Sequence, residues 1–221
     1  RGKANMGSMS PSTSRPPADT HPQRILIILG HPSASSLCAG LADAYAQGAR
    51  DSGAEVRLLR LGELDFDPLL HAGYRQDQPL EPDLQRAQAD ILWASHLAWA
   101  YPTWWGGLPA LLKGFIDRIF LPGFAFKYRK GSVLWDRLLA GRTADLLVSM
   151  DSPPWYYRWV AHMPGHHQMR RAILEFSGIR PVRIHSFGPV LGAEAARVQQ
   201  WLEQAQAAGR RAAARRLKAS V

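Results

Sequence analysis

Residues 25–37 read ILIILGHPSASSL, and the fold is decided there. Five apolar residues in a row, without polar alternation, describe a strand buried on both faces rather than a half-exposed one. The run stops at Gly30, and small hydroxyl residues lead from it into a segment of helical period. Over 36–52, Leu37, Leu41, Ala44 and Tyr45 share one face, and Gly53 stands where a helix stops. A buried strand, a short polar turn and a helix open a βαβ unit.

The pattern recurs along the chain. Further apolar runs lie at 55–60, 90–101, 144–150 and 181–187, and the DLLVSM of the fourth run again lacks alternation. Helical patterns separate them. The segment 109–120 begins with Pro109 in a first turn, where its missing N–H costs nothing. A second, 165–176, ends near Gly178. The last, 193–217, places Val198, Trp201, Leu202 and Ala205 on one stripe. Five strands alternating with helices predict a doubly wound, five-stranded parallel α/β sheet in a single domain. Right-handed crossovers leave few strand orders, among them 2-1-3-4-5. The connections 62–83 and 121–142 are long for such a sheet, which suits lids or partner contacts.

Composition narrows the function classes. At 221 residues the chain suits one sizeable core, and no apolar run approaches the ~18 residues of a membrane span. The lone Cys38 rules out a disulfide framework and suits a reducing compartment, so the cytoplasm is the expected setting. Residues 1–23 read as a disordered extension rich in Ser, Pro and Thr, 24–208 as the domain, and 209–221 as a basic helix end or tail. The formal charge of +9 is concentrated at the ends. Residues 1–24 carry four cations against Asp19, and 210–221 carry five cations and no acid, which leaves +1 for 25–209. A nearly neutral body argues against nucleic acid as the partner, and cations at a helix C-terminus have a local reason to be there.

Ligands of open parallel sheets bind beyond the strands' C-terminal ends, where strand order reverses. Three segments fall there. The first is residues 30–37, GHPSASSL, whose hydroxyls and helix N-terminus form an anion pocket, or else an ordinary serine cap. The second is 101–109, YPTWWGGLP. Its paired tryptophans can wall a flat ring while neighbouring N–H groups meet the ring's polar edge, or they simply fill a loop core. The third is 149–157, SMDSPPWYY, another small polar turn followed by aromatics. Their shared chemistry points to one flat, phosphate-bearing ligand. Neither GxGxxG nor GxxxxGK[ST] occurs, which leaves a Rossmann dinucleotide site and a P-loop unsupported. His162, His166 and His167 lie close in sequence, but no Cys or paired carboxylate joins them, so no metal site is expected.

The stretch YPTWWGGLPALLKGFIDRIFLPGFAFKY (101–128), with the opening LGHPSASS, resembles the NAD(P)H:quinone oxidoreductases of the flavodoxin-like fold. The likeness runs from about Arg24 to Glu203. It implies a flavin whose phosphate and ribityl chain lie near His31, Ser33, Ser35, Ser36 and Leu37. The isoalloxazine would be cradled by Pro102, Thr103, Trp104, Trp105 and Gly106, and its other edge covered by Met150, Asp151 and Ser152. Relatives often carry a Thr-Thr-Gly-Gly-like turn at that last position, where this chain has Met150-Asp151-Ser152-Pro153. A Tyr and a His on the substrate side correspond to Tyr156 or Tyr157 and to His162, the expected catalytic residues. The resemblance further implies NAD(P)H as donor and a quinone-like or azo acceptor reduced by two-electron hydride transfer. FMN is expected, with FAD as the alternative, since the sequence offers no distinct adenosine pocket. The resemblance also implies a homodimer in which aromatic residues reach across, a role that suits 121–135 and 153–163. Two other readings fit the same fold: a flavodoxin-like electron carrier, and a flavin-binding regulatory subunit of a membrane transport protein.

Overall fold

A computed structural model describes residues 22–215, so most of the expected N-terminal extension and residues 216–221 of the tail lie outside the described residues. The chain runs β1 Arg24–Leu29, α1 Leu37–Asp51, β2 Glu55–Arg60, α2 Pro82–Trp93, β3 His96–Pro102 and α3 Ala110–Ile119. A short hairpin of β4 Phe126–Tyr128 and β5 Trp135–Arg137 follows, then β6 Thr143–Ser149 and α4 Pro154–Trp159. After α5 Pro164–His167 come a π-helical run Gln168–Glu175, β7 Val182–Phe187 and α6 Ala195–Ala213. The main sheet is wholly parallel in the order β2-β1-β3-β6-β7, which is the expected 2-1-3-4-5.

Strand period divides the core into two layers. Ile25, Ile27, Leu29, Ala98, Ala100 and Leu147 face α1 and α6. Leu26, Ile28, Leu97, Trp99, Leu146 and Val148 turn the other way, toward α2 and α3. Each leucine, isoleucine and valine among them contributes about 1.5–3 kcal/mol by leaving water. With both faces covered, the central strands need no polar alternation, which is why ILIIL and DLLV read as unbroken runs.

Two segments depart from the sequence reading. The run 90–101 is not one strand: residues as far as Trp93 close α2, and β3 starts at His96. That helix buries only Leu84, Ala87 and Ile91. Three apolar positions among charged neighbours give a weak periodic signal, so α2 was hidden between a supposed loop and a supposed strand. The connection 121–142 holds the β4–β5 hairpin, anchored by Trp135, whose ring stacks on Phe176 at 4.5 Å and whose Nε1 donates to the Phe176 carbonyl at 2.9 Å.

A buried polar cluster closes the edge where the strands begin. The carboxylate of Asp145 is wholly buried and accepts from the Tyr45 hydroxyl at 3.0 Å and from Arg215 at 3.2 Å. Because that hydroxyl donates to Asp145, the 2.9 Å contact between Tyr45 and His96 Nε2 requires His96 to donate. His96 Nδ1 then accepts from the Thr143 hydroxyl at 2.6 Å. This tautomer satisfies Tyr45, His96 and Thr143, while Arg215 Nε stays buried without a partner among the described residues. Arg215 therefore turns inward, and the basic C-terminal end is not simply a solvated helix terminus.

Candidate functional site

At the opposite edge, the loops after β1, β3 and β6 are physically joined. His31 of the first meets Trp104 of the second edge-on, with ring centroids 5.6 Å apart. Thr103 of the second donates its backbone N–H to the carbonyl of Ser149, the last residue of β6, at 2.7 Å. Cys38, at the start of α1, places its Sγ 3.1 Å from the Ser149 hydroxyl. Burial pushes the Cys38 thiol up to about 11 although Ser149 opposes it, so Cys38 is a packing group and not a nucleophile.

The first loop is wound by its own side chains. Ser36 caps α1, its hydroxyl accepting from Ala39 N–H at 3.2 Å and donating to the Ser33 carbonyl at 3.0 Å. The Ser33 and Ser35 hydroxyls lie 3.0 Å apart, and His31 Nδ1 accepts from Ser33 N–H at 2.9 Å. These bonds draw the Ser33 and Ser35 hydroxyls together at the N-terminus of the 15-residue α1, beside Ser36 and Leu37. Converging hydroxyls at the positive end of a long helix suit a phosphate. Gly62, after β2, supports this loop from behind, since a Cβ built there would lie 2.2 Å from the Pro32 carbonyl oxygen. Nothing in the sequence marks that approach.

The second loop is a tight turn. Trp104 and Gly107 exchange backbone hydrogen bonds of 3.1 and 2.9 Å, and between them Trp105 and Gly106 adopt φ of 51° and 75°. Two left-handed residues in succession make a primed turn, strained at Trp105 because it carries a side chain. The turn thrusts Trp105 fully into solvent at 106% relative exposure, while Trp104 is half-covered by His31. An exposed indole beside a serine-lined helix end is an unfinished wall. A flat ring laid against it would complete the burial.

The third loop is partly committed elsewhere. Met150 is buried, with its N–H on the Phe187 carbonyl and its carbonyl taking Val190 N–H, and Asp151 Oδ1 accepts from Leu191 N–H at 3.0 Å. The carboxylate of Asp151 thus fastens the segment after β7. Ser152 remains exposed, next to α4. Beyond it, Tyr156 is exposed and Tyr157 is buried, which separates the two candidate tyrosines. His162 is exposed with φ of 56°, followed by Met163 at 51°, an unusual left-handed pair in which strain gathers beside the loops. His166 is buried, apart from exposed His162, and among the described residues no three His, Cys, Asp or Glu side chains gather as metal ligands.

A family profile described as flavodoxin-like fold matches residues 23–208. The chain belongs to this flavodoxin-like family. A Haemophilus influenzae member, known only as an uncharacterized NAD(P)H oxidoreductase, is 29% identical over 75% of this chain and 83% of its own length. NAD(P)H dehydrogenase [quinone] 1 of Cavia porcellus is 28% identical over 48% of this chain, which spans about half of that longer protein, 46% of its length. Among solved structures, the NAD(P)H:quinone oxidoreductase of Methanothermobacter marburgensis superposes with a TM-score of 0.74. It shares 23% identity and covers 86% of this chain and 98% of its own. An FMN-dependent NADH-azoreductase of Bacillus anthracis, in complex with FMN, gives 0.66 at 19% identity over 86% and 99%. At these identities the two structures speak for the fold the family shares.

Proposed function

We propose that the chain is a flavin-dependent NAD(P)H oxidoreductase that reduces quinone-like or azo acceptors, with FMN as its cofactor. One observation carries this reading: the loops after β1, β3 and β6 are tied together by the His31–Trp104, Thr103–Ser149 and Cys38–Ser149 contacts around a helix N-terminus and an uncovered indole. A phosphate fits the first part and a planar ring the second, so the residues present suit a flavin. The names of the relatives point the same way.

Ser33, Ser35 and Ser36, with His31 and Leu37 at the mouth of α1, would hold the phosphate and ribityl chain. Pro102, Thr103, Trp104, Trp105 and Gly106 would provide the ring wall, and Met150, Asp151 and Ser152 the far rim. In that rim Asp151 acts through the backbone it fastens. A bound flavin would supply hydride acceptance from NAD(P)H and hydride donation to the acceptor. The protein's share is orientation and proton placement. Tyr156 and His162, both uncovered next to the third loop, are the groups able to donate a proton or hydrogen bond to an acceptor oxygen. FMN is preferred over FAD because structural relatives such as the Bacillus anthracis azoreductase are FMN-dependent. A cytoplasmic setting, where NAD(P)H is available, is compatible with the unpaired Cys38. Among the described residues no helix is long and apolar enough to cross a membrane.

A homodimer completes the reading. Trp155, Trp159 and Val160 of the α4 segment, Trp105 of the second loop and Tyr128 of the hairpin are exposed, and a second copy of the chain would cover them. A hollow of about 400 Å³ between α3, the hairpin and the π-helical run is lined by Tyr74, Phe120, Phe126, Tyr128 and Phe176. None of its lining residues belongs to the three loops, so it fits a partner surface better than the cofactor.

Chain purified with FMN is expected to be yellow, to oxidise NADH or NADPH, and to do so faster when menadione is added. A chain that takes up neither FMN nor FAD at micromolar concentration would end the enzyme reading. Light scattering at that concentration is expected to give twice the chain mass, and a monomer would remove the shared-site arrangement.

A further inference from the structure

We infer that Tyr157 and His166 are positioning residues that hold the Trp104–Gly107 turn at the height the ring needs. This rests on the proposed flavin site and goes beyond it. Neither residue is assumed to touch the ring. Tyr157 is 3% exposed although its neighbours Trp155 and Tyr156 lie open, so α4 turns one aromatic inward and leaves two outside. Its hydroxyl donates to the Gly106 carbonyl at 2.9 Å and accepts from Gly165 N–H at 2.9 Å. Gly165 N–H also reaches that same carbonyl at 2.9 Å. The three groups form a closed triangle with its apex on the turn.

No slack remains in it. A Cβ on Gly165 would stand 2.8 Å from the Gly106 oxygen and 3.0 Å from the Tyr157 hydroxyl. The left-handed pair His162 and Met163 bends the chain back so that Met163 N–H reaches the Tyr157 carbonyl at 3.0 Å, and the segment from α4 to α5 becomes a closed strap. His166, 4% exposed, packs edge-on against the Tyr157 ring with centroids 4.9 Å apart. Its Nε2 is buried without a partner among the described residues, so its side chain acts on Tyr157 through the ring edge, while its backbone N–H also faces the Tyr157 hydroxyl. The strap therefore links two sites: its open side carries Tyr156 and His162, and its buried side fixes Gly106.

The test uses the full chain with Tyr157→Phe, His166→Phe and His166→Ala. Tyr157→Phe leaves the Gly165–Gly106 bond in place, so the fold is expected to persist, with a melting temperature within a few degrees. In the flavin-free protein, amide exchange at Gly107 and Gly165 is expected to quicken at least tenfold. The FMN dissociation constant should rise 5- to 20-fold, and the visible absorption band of bound FMN should shift. His166→Ala should reproduce these changes, while His166→Phe, which keeps a ring edge, should restore the exchange protection. Unchanged exchange in Tyr157→Phe would overturn the positioning role outright. Faster exchange with unaltered FMN affinity and spectrum would overturn it as well, by showing that the turn is no ring wall, and would take the proposed cradle with it. If the unaltered chain fails to bind flavin but Tyr157→Phe still loosens the turn, only the cofactor reading falls.

Discussion

Gly62→Ala is expected to weaken FMN binding 5- to 150-fold while the chain stays folded. The added Cβ would fall 2.2 Å from the Pro32 carbonyl oxygen and 2.8 Å from its carbonyl carbon. Both obstacles are backbone, so no rotamer change relieves them. Either β2's end or the first loop must shift, and the loop yields more easily because it is held mainly by hydrogen bonds among His31, Ser33, Ser35 and Ser36. Its displacement separates the hydroxyls from the end of α1. Drawing them back around a phosphate costs what overpacking usually costs, about 1–3 kcal/mol, which is the stated loss of affinity. Flavin fluorescence titration against the unaltered chain checks it. Unchanged affinity alongside a lowered melting temperature would place the phosphate elsewhere.

The sheet was legible because its strands are buried on both faces: ILIIL and DLLV leave no other reading, and the helix after GHPSASS carries its own cap and stop. The joining of the three loops was legible too, as composition, because three strand ends with matching chemistry outweigh the ordinary cap and loop-core readings of each taken alone. Other features were not. Gly62 looks like any turn glycine, since close approach depends on a neighbour 30 positions away in sequence. Tyr156 and Tyr157 are identical in type and adjacent, and only the direction of a six-residue helix separates the open one from the buried one. Asp151 read as a rim residue, but its carboxylate is taken by Leu191 N–H, a partner 40 positions along the chain. Arg215 read as one cation of a solvated cluster. Its engagement with Asp145 required a charge inside a strand, at a place where the run DLLVSM suggested only hydrophobic packing.

That buried charge sets the protein's response to acid. Burial alone would raise the Asp145 carboxyl, but the His185 side chain, His96 and Arg215 outweigh it and bring it down to about 2. Its contribution is therefore complete above the ordinary aspartate value near 4 and is lost as pH falls from there toward 2. His96 loses stability earlier. Burial lowers it to about 4, with Asp145 opposing and Arg215 and Arg183 assisting, so the folded chain keeps His96 neutral while the unfolded chain takes a proton near 6.5. Stability present above 6.5 drains away as pH falls through 6.5 to 4, by roughly 3 kcal/mol at one pK unit per ~1.4 kcal/mol. Buried His166, also lowered to about 4 by its burial and by His167, adds in the same direction. Urea melts of the flavin-free chain at pH 7.5, 5.5 and 4.5 should record this decline, and His96→Gln should remove its share and leave that of His166. Asp145→Ala at pH 7.5 should be worse than either, because Arg215 and the Tyr45 hydroxyl would face a void where a carboxylate stood. Breaking one side of a buried pair costs about 3–5 kcal/mol. Such a loss would also release the residues just after α6 from β6, where Arg215 bonds to Asp145, while Trp201, Ala205, Ala208 and Ala212 keep the helix itself on α1. A melt of Asp145→Ala matching the unaltered chain would mean that Arg215 finds water instead, and that the C-terminal end is held by the apolar face of α6 alone.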